Sequence, residues 1–300
     1  MNKIHEYEIL ASSAEIKLVQ QKPPKRDVLN EIFMQIKAIY NDNYRRRSRN
    51  SLDGIYNGII DLFAGKMEGF RRCDTEYHDL QHTIQSAIAM ARVMGGWNKS
   101  SNAPSISHNL FGVGIVAALL HDTGYIKRLG DDTGTGGKYT FRHVARSAEF
   151  AARYLTDLGY SRADVILVPK MIWCTCTRTD LKQIIFSSTE EQIIGFCLGT
   201  ADFLCQMASP DYPEKLPLLF NEFSEGYEYE GTEKLKKESY VIFDNVAKMI
   251  ESTPGFYENW VRSRFKEMAS VYQYIPLHYE KDRNYYIDAI ERNIGKIRTK

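Results

Sequence analysis

From Arg26 onward, apolar residues recur three and four positions apart. Val28, Ile32, Phe33, Ile36 and Ile39 form one stripe, and Ile55, Ile59, Ile60 and Phe63 another. That spacing lines one face of an α-helix. The pattern predicts a helix over Tyr77–Met94 closed by Gly95-Gly96, and one over Leu110–His121 stopping near Gly124. Phe141–Leu158 is apolar at 144, 145, 148, 151, 152 and 155, with Gly159 after it. Ser161-x-x-Asp164 caps a helix reaching about Trp173, and Thr189-x-x-Gln192 opens one reaching Ala208. Further helices are predicted near 214–225, 232–250, 255–272 and 281–297, with breaks at Pro254 and Pro276. Arg128–Thr140 has no periodicity and reads as a loop. Strand alternation is nearly absent, so the predicted class is all-α. Residues 1–25 are polar and end in Lys-Pro-Pro-Lys, which predicts a loosely held arm before a single all-α domain over 26–300.

Composition narrows the function classes. Hydrophobic residues are 43% and charged residues 26%, an ordinary globular balance that excludes a disordered or low-complexity chain. The formal net charge is +1, so no global field favours nucleic acid or an anionic membrane as a partner. The five cysteines form no regular framework, and the first residues carry charges throughout, unlike a signal peptide. The apolar run Leu110–Leu120 is far shorter than the ~20 residues a span requires. These features predict a reduced, cytoplasmic protein. Cys174-Thr-Cys176 is too closely spaced for a zinc site and reads as a half-buried thiol pair near a helix end. Two charge runs read as solvent-facing: the acidic segment Glu222–Glu233, and Arg45, Arg46, Arg47 and Arg49 at a helix end.

Three segments carry chemistry. Tyr77-His78-Asp79-Leu80-Gln81-His82 places two histidines four apart. Ala117–Gly124 is an apolar helix ending in His121-Asp122. Gly199–Leu204 embeds the single carboxylate of Asp202 among apolar residues. An unpaired carboxylate in a core is very unfavourable, and no Lys or Arg lies within five residues of Asp202. His82, His121, Asp122 and Asp202 would satisfy one another by binding one divalent metal. Two imidazoles and two carboxylates suit Zn, Mn, Fe, Co or Ni, and with open positions Mg. A weaker second ion held by Asp122 and water is compatible with the same residues.

In this order the three segments resemble the HD-domain superfamily of metal-dependent phosphohydrolases, whose signature is H…HD…D on an all-α fold. The resemblance covers about Tyr77–Met207. It implies a helical bundle of the HD and phosphodiesterase type, with extra N- and C-terminal helices. Tyr77-His78-Asp79-x-x-His82 also resembles the Tyr-His-Asn-x-x-His segment of cyclic-nucleotide phosphodiesterases, with Asp79 in place of Asn. That resemblance implies His82 as a metal ligand and His78 as general acid. In the mechanism expected here, Asp122 or Asp202 orients the attacking water. His143 matches a histidine that many HD proteins carry about twenty residues after the HD pair, which implies a second-metal or phosphate contact. Arg146 and Lys127 are further candidate phosphate contacts. The chain departs from the phosphodiesterases in reading HDTGY, in lacking their purine-gripping Gln, and in carrying no His over Met171–Thr177.

The expectation is a hydrolase acting with a metal-activated water on a small-molecule phosphoester, a nucleotide-like mono- or diester. The alternatives are an HD-type di-iron oxygenase and a non-catalytic HD-like signalling module. Specificity is expected in loops 96–109 and 128–140 and in the aromatic C-terminal half.

Overall fold

The computed structural model describes residue 15 and residues 24–44, 51–101 and 104–299. Most of the predicted arm and the run Arg45–Arg49 lie outside the described residues. The class is all-α: among the described residues there is no strand beyond one isolated bridge between Phe70 and Arg128.

From residue 24 on, the α-helices among the described residues are α1 (Arg26–Tyr44), α2 (Ser51–Phe63), α3 (Leu80–Asn98), α4 (His108–Leu120), α5 (His143–Asp157), α6 (Arg162–Trp173), α7 (Thr189–Ala208), α8 (Tyr212–Glu230), α9 (Thr232–Lys237), α10 (Val246–Gly255), α11 (Arg262–Glu267), α12 (Ile275–Tyr279) and α13 (Tyr285–Arg298).

Three of them form the centre. α3 is buried without a break from Gln81 to Trp97, α4 from Val113 to Leu120, and α7 from Ile193 to Cys205. A helix buried on every side belongs to the middle of a core. α3 packs on α7, α4 and α1, and α6 packs on α4, α5 and α7. α13 closes the far side of α7. No single helix among the described residues is long and apolar enough to cross a membrane; α7 and α8 pass by composition only as a pair bent by 115°.

Several boundaries differ from the prediction. α3 starts at Leu80, because Asp79 takes an extended conformation and caps it, accepting from the His82 N–H at 2.9 Å. His78 therefore precedes the helix instead of sharing its face with His82. α3 also runs through Gly95-Gly96 to Asn98. A Cβ on Gly96 would lie 2.0 Å from the Tyr274 carbonyl oxygen, so this glycine admits the chain leading into α12 and does not end the helix. The predicted 232–250 helix is two, α9 and α10. Pro254 lies inside α10, which continues into a π-helical turn over Phe256–Val261. Within the predicted arm, Glu15 is buried and its carboxylate meets the Arg92 guanidinium at 2.6 and 2.8 Å.

Candidate metal centre

The helices deliver four donors to one point. His82 lies in the first turn of α3, His121 caps the C-terminus of α4, Asp122 follows it, and Asp202 stands in the middle of α7. All four are at least nine-tenths buried. His82 Nε2 is 3.1 Å from both Asp122 Oδ2 and Asp202 Oδ1. His121 Nε2 is 3.2 Å from Asp122 Oδ2 and 3.6 Å from Asp202 Oδ1. The two Nε2 atoms are 3.3 Å apart.

Two observations test whether these residues fit a cation. Ligands about 2.1 Å from a first-row divalent ion stand roughly 3.0–3.4 Å from one another, which is the spacing found. Asp122 Oδ2 is buried without a hydrogen-bond partner. An orphaned carboxylate oxygen facing two imidazole nitrogens is costly unless a positive charge sits among them. The tautomer agrees: His121 Nδ1 lies 2.7 Å from the Ala118 carbonyl, so Nδ1 carries the hydrogen and Nε2 is left to bind. His82 Nδ1 lies 3.6 Å from Cys205 Sγ.

Electrostatics follow from the same crowding. Burial disfavours a charged His121, but Asp122 and Asp202 outweigh it and hold its pKa up at about 10. Burial likewise opposes a charged His82, and Cys205, Asp122 and Asp202 together raise its pKa well above the usual value. Burial alone would raise the pKa values of the two carboxyls. For Asp122, His121 and His82 reverse that and hold it well below the usual range. For Asp202, hydrogen bonds from the same two histidines do so. Without a metal, two protons take its place.

His78 lies beside this cluster. Its ring centroid is 5.6 Å from that of His82, and the ring stacks on Tyr125 at 4.4 Å. Its Nδ1 is 2.6 Å from Glu222 Oε2. Glu222 Oε1 also accepts from the backbone N–H of Tyr77 at 2.7 Å and of His78 at 3.3 Å. Glu222 is 4% exposed, so the solvent-facing reading of the acidic segment fails here. On α8, Glu222 shares the inward face with Tyr212, Leu216 and Gly226, and that spacing was its signal.

His143 opens α5. Its ring stacks on Tyr125 at 4.5 Å, and its Nε2 is 3.9 Å from Asp122 Oδ1. Burial lowers its pKa, and Nδ1 donates to the Thr140 carbonyl at 2.7 Å, which leaves Nε2 as the bare nitrogen. Gly124 makes this approach possible, since a Cβ there would lie 2.0 Å from the His143 carbonyl oxygen.

The structure does not bring Lys127 or Arg146 to the centre. Lys127 is buried, with Nζ 2.9 Å from Asp74 Oδ2 and bonded to the Gly134 carbonyl. Arg146 donates to the carbonyls of Gly124 and Ile126 and lies over the Tyr139 ring. Both cations brace the 124–139 segment. Cys174 caps the end of α6, and burial pushes its thiol up to about 12; Cys176 is half-buried and also free.

A cavity of about 510 Å³ opens onto the cluster, with His78, His143 and Asp202 in its wall. The chain matches no known protein-family model and no curated protein.

Proposed function

We propose that this chain is a metal-dependent phosphohydrolase of the HD type, with one divalent ion held by His82, His121, Asp122 and Asp202. One observation carries the reading. Four buried donors from three core helices converge at metal-ligand spacing beneath a cavity, with two further histidines at its edge. The H…HD…D order supports the phosphohydrolase class, and the donor chemistry supports Zn, Mn, Fe, Co or Ni.

A divalent ion there supplies Lewis-acid chemistry, neutralising charge on phosphoryl oxygens and acidifying a water. Asp122 Oδ1, the oxygen nearer His143, orients the attacking water. His143 Nε2 takes the proton that the water loses. The water oxygen forms the new P–O bond. The P–O bond to the alcohol breaks, and its electron pair leaves on the alcohol oxygen. His78 Nε2–H protonates that oxygen, while Glu222 receives the Nδ1–H and carries the compensating negative charge. Exchange with solvent then returns the proton gained by His143 and replaces the one given by His78.

The test is metal content by elemental mass spectrometry on protein purified without chelator, alongside phosphoester turnover. The expected result is about one divalent ion per chain, lost together with turnover in Asp122→Ala. Two irons per chain with O2 consumption would replace the reading with an oxygenase. No metal after incubation with Mn, Zn, Fe and Mg would leave a binding module.

A further inference from the structure

The cavity is built unevenly. One end holds His78, His143, Asp202 and Gln206. Much of the remaining wall is apolar, and Phe203, Phe223, Phe243, Phe256, Tyr240 and Met249 contribute to it. Two aromatic groups stiffen that wall. Phe223 meets Phe243 at 6.3 Å and Phe141 at 5.7 Å, while Phe203 lies 6.5 Å from Phe256, which stacks on Trp260 at 5.3 Å. At the rim, Trp173 and Phe256 are 36% and 39% exposed. The volume lies within the roughly 300–1,000 Å³ that encloses a drug-sized ligand.

Many of the polar groups of this wall are already engaged, the buried Tyr125 hydroxyl being an exception. Gln206 is its one side-chain amide among the described residues; its Nε2 donates to Asp202 at 2.6 Å and its Oε1 accepts from Tyr77 at 3.1 Å. The hydroxyls of Thr140, Thr175, Ser252 and Thr253 donate to backbone carbonyls. Of the lining arginines, one is ion-paired and the other is held by neutral groups. Arg142 binds Glu230 at 2.7 Å, and Arg178 lies over Tyr240 while donating to the Ser239 carbonyl at 2.9 Å. A purine or pyrimidine edge needs free donors and acceptors, and a di- or triphosphate needs free cations. The wall has one cation without an acidic partner, Arg178, and few unengaged hydroxyls, and most of its surface is rings and aliphatic side chains.

We infer that the centre acts on phosphoesters carrying an apolar alkyl or aryl body, with the phosphoryl group at the His78–Asp202 end and the body against the aromatic wall. This rests on the phosphohydrolase reading and names its substrate class.

The test keeps the leaving group constant and varies the body. The metal-loaded full chain is assayed with ethyl, octyl and thymidine-5′ p-nitrophenyl phosphodiesters. Each buried CH2 favours binding, so kcat/KM for the octyl ester should exceed that for the ethyl ester by about a hundredfold or more, with the thymidine ester below the octyl. Phe256→Asp, at the rim, should shrink the octyl-to-ethyl ratio. In parallel, calorimetry compares octyl phosphate with ethyl phosphate as ligands. Turnover with no chain-length preference, or with the thymidine ester preferred, overturns the inference and leaves the phosphohydrolase reading intact. Tighter binding of octyl phosphate with no turnover of any ester sustains the apolar site and removes the phosphohydrolase. Neither binding nor turnover removes both.

Discussion

His78 Nδ1 and Glu222 Oε2 stand 2.6 Å apart although 144 residues separate them in the chain. Glu222 also fixes the backbone of residues 77 and 78, so one buried carboxylate sets both the place and the ring orientation of His78. The pair joins the segment before α3 to the middle of α8, at the edge of the four-donor cluster.

If His78 is the general acid, its worth depends on the leaving group. His78→Ala should retain the metal and lose roughly 10²–10⁴ in kcat on an alkyl or phenyl phosphoester. On a p-nitrophenyl ester, whose leaving group needs no proton, the loss should be under about tenfold. Glu222→Gln should follow the same pattern at about a tenth of the size. Equal losses on both substrates, measured by steady-state kinetics, would remove the acid role and leave a structural one.

Removing a ligand should act on metal and activity together. His121→Ala, Asp122→Ala and Asp202→Ala should each abolish turnover and lower metal affinity by about a hundredfold or more, read by elemental analysis and by competition with a chromogenic chelator. Removing a group that only orients a metal ligand costs about 10–100-fold in affinity, and removing the ligand itself should cost at least as much.

The protons that replace the metal give a pH dependence with a definite sign. In the metal-free chain the His121 pKa is raised from about 6.5 to about 10. That contribution to stability is complete below pH ~6.5 and is lost as pH rises toward 10. The Asp122 and Asp202 pKa values are depressed, so their contribution is present above pH ~4 and is lost as pH falls further. The cluster therefore favours the metal-free fold most between about pH 4 and 6.5, and its melting temperature should decline on the alkaline side. Metal binding must displace those protons, so metal affinity should rise from pH 6 to 9, by about tenfold per pH unit for each proton released. Flat affinity over that range would show that the histidines are already neutral.

The four clustered side chains that could hold a metal were legible in the sequence for a physical reason. Helical spacing marked α3, α4 and α7 as core, and charged or imidazole groups inside a core demand a partner. What is not legible there is tertiary. Glu222 has polar neighbours in sequence and is buried only because α8 turns that face inward. Lys127 and Arg146 looked available for a phosphate because their acceptors come from other segments: Asp74 and Gly134 for the lysine, the Gly124 and Ile126 carbonyls for the arginine. In the sequence Asp79 is a departure from a motif, and its role as the cap that excludes His78 from α3 shows only in its backbone conformation.

Two glycines separate stability from activity. A Cβ on Gly124 would meet the His143 carbonyl oxygen at 2.0 Å, and a Cβ on Gly96 would meet the Tyr274 carbonyl oxygen at 2.0 Å. Neither obstacle is a flexible side-chain tip, so Gly124→Ala and Gly96→Ala should each cost about 1–3 kcal/mol in denaturant unfolding. Their effects on catalysis should differ. Gly124→Ala pushes the start of α5 away from the turn after Asp122 and displaces His143, so kcat should fall about tenfold or more with metal still bound. Gly96 lies fourteen residues along α3 from His82, about 21 Å away at helical rise, and its alanine variant should keep near-native kcat at a temperature where it stays folded. Equal kcat losses in the two variants would mean that the tight packing at Gly124 serves the fold alone, and that the place of His143 beside Asp122 is not needed for turnover.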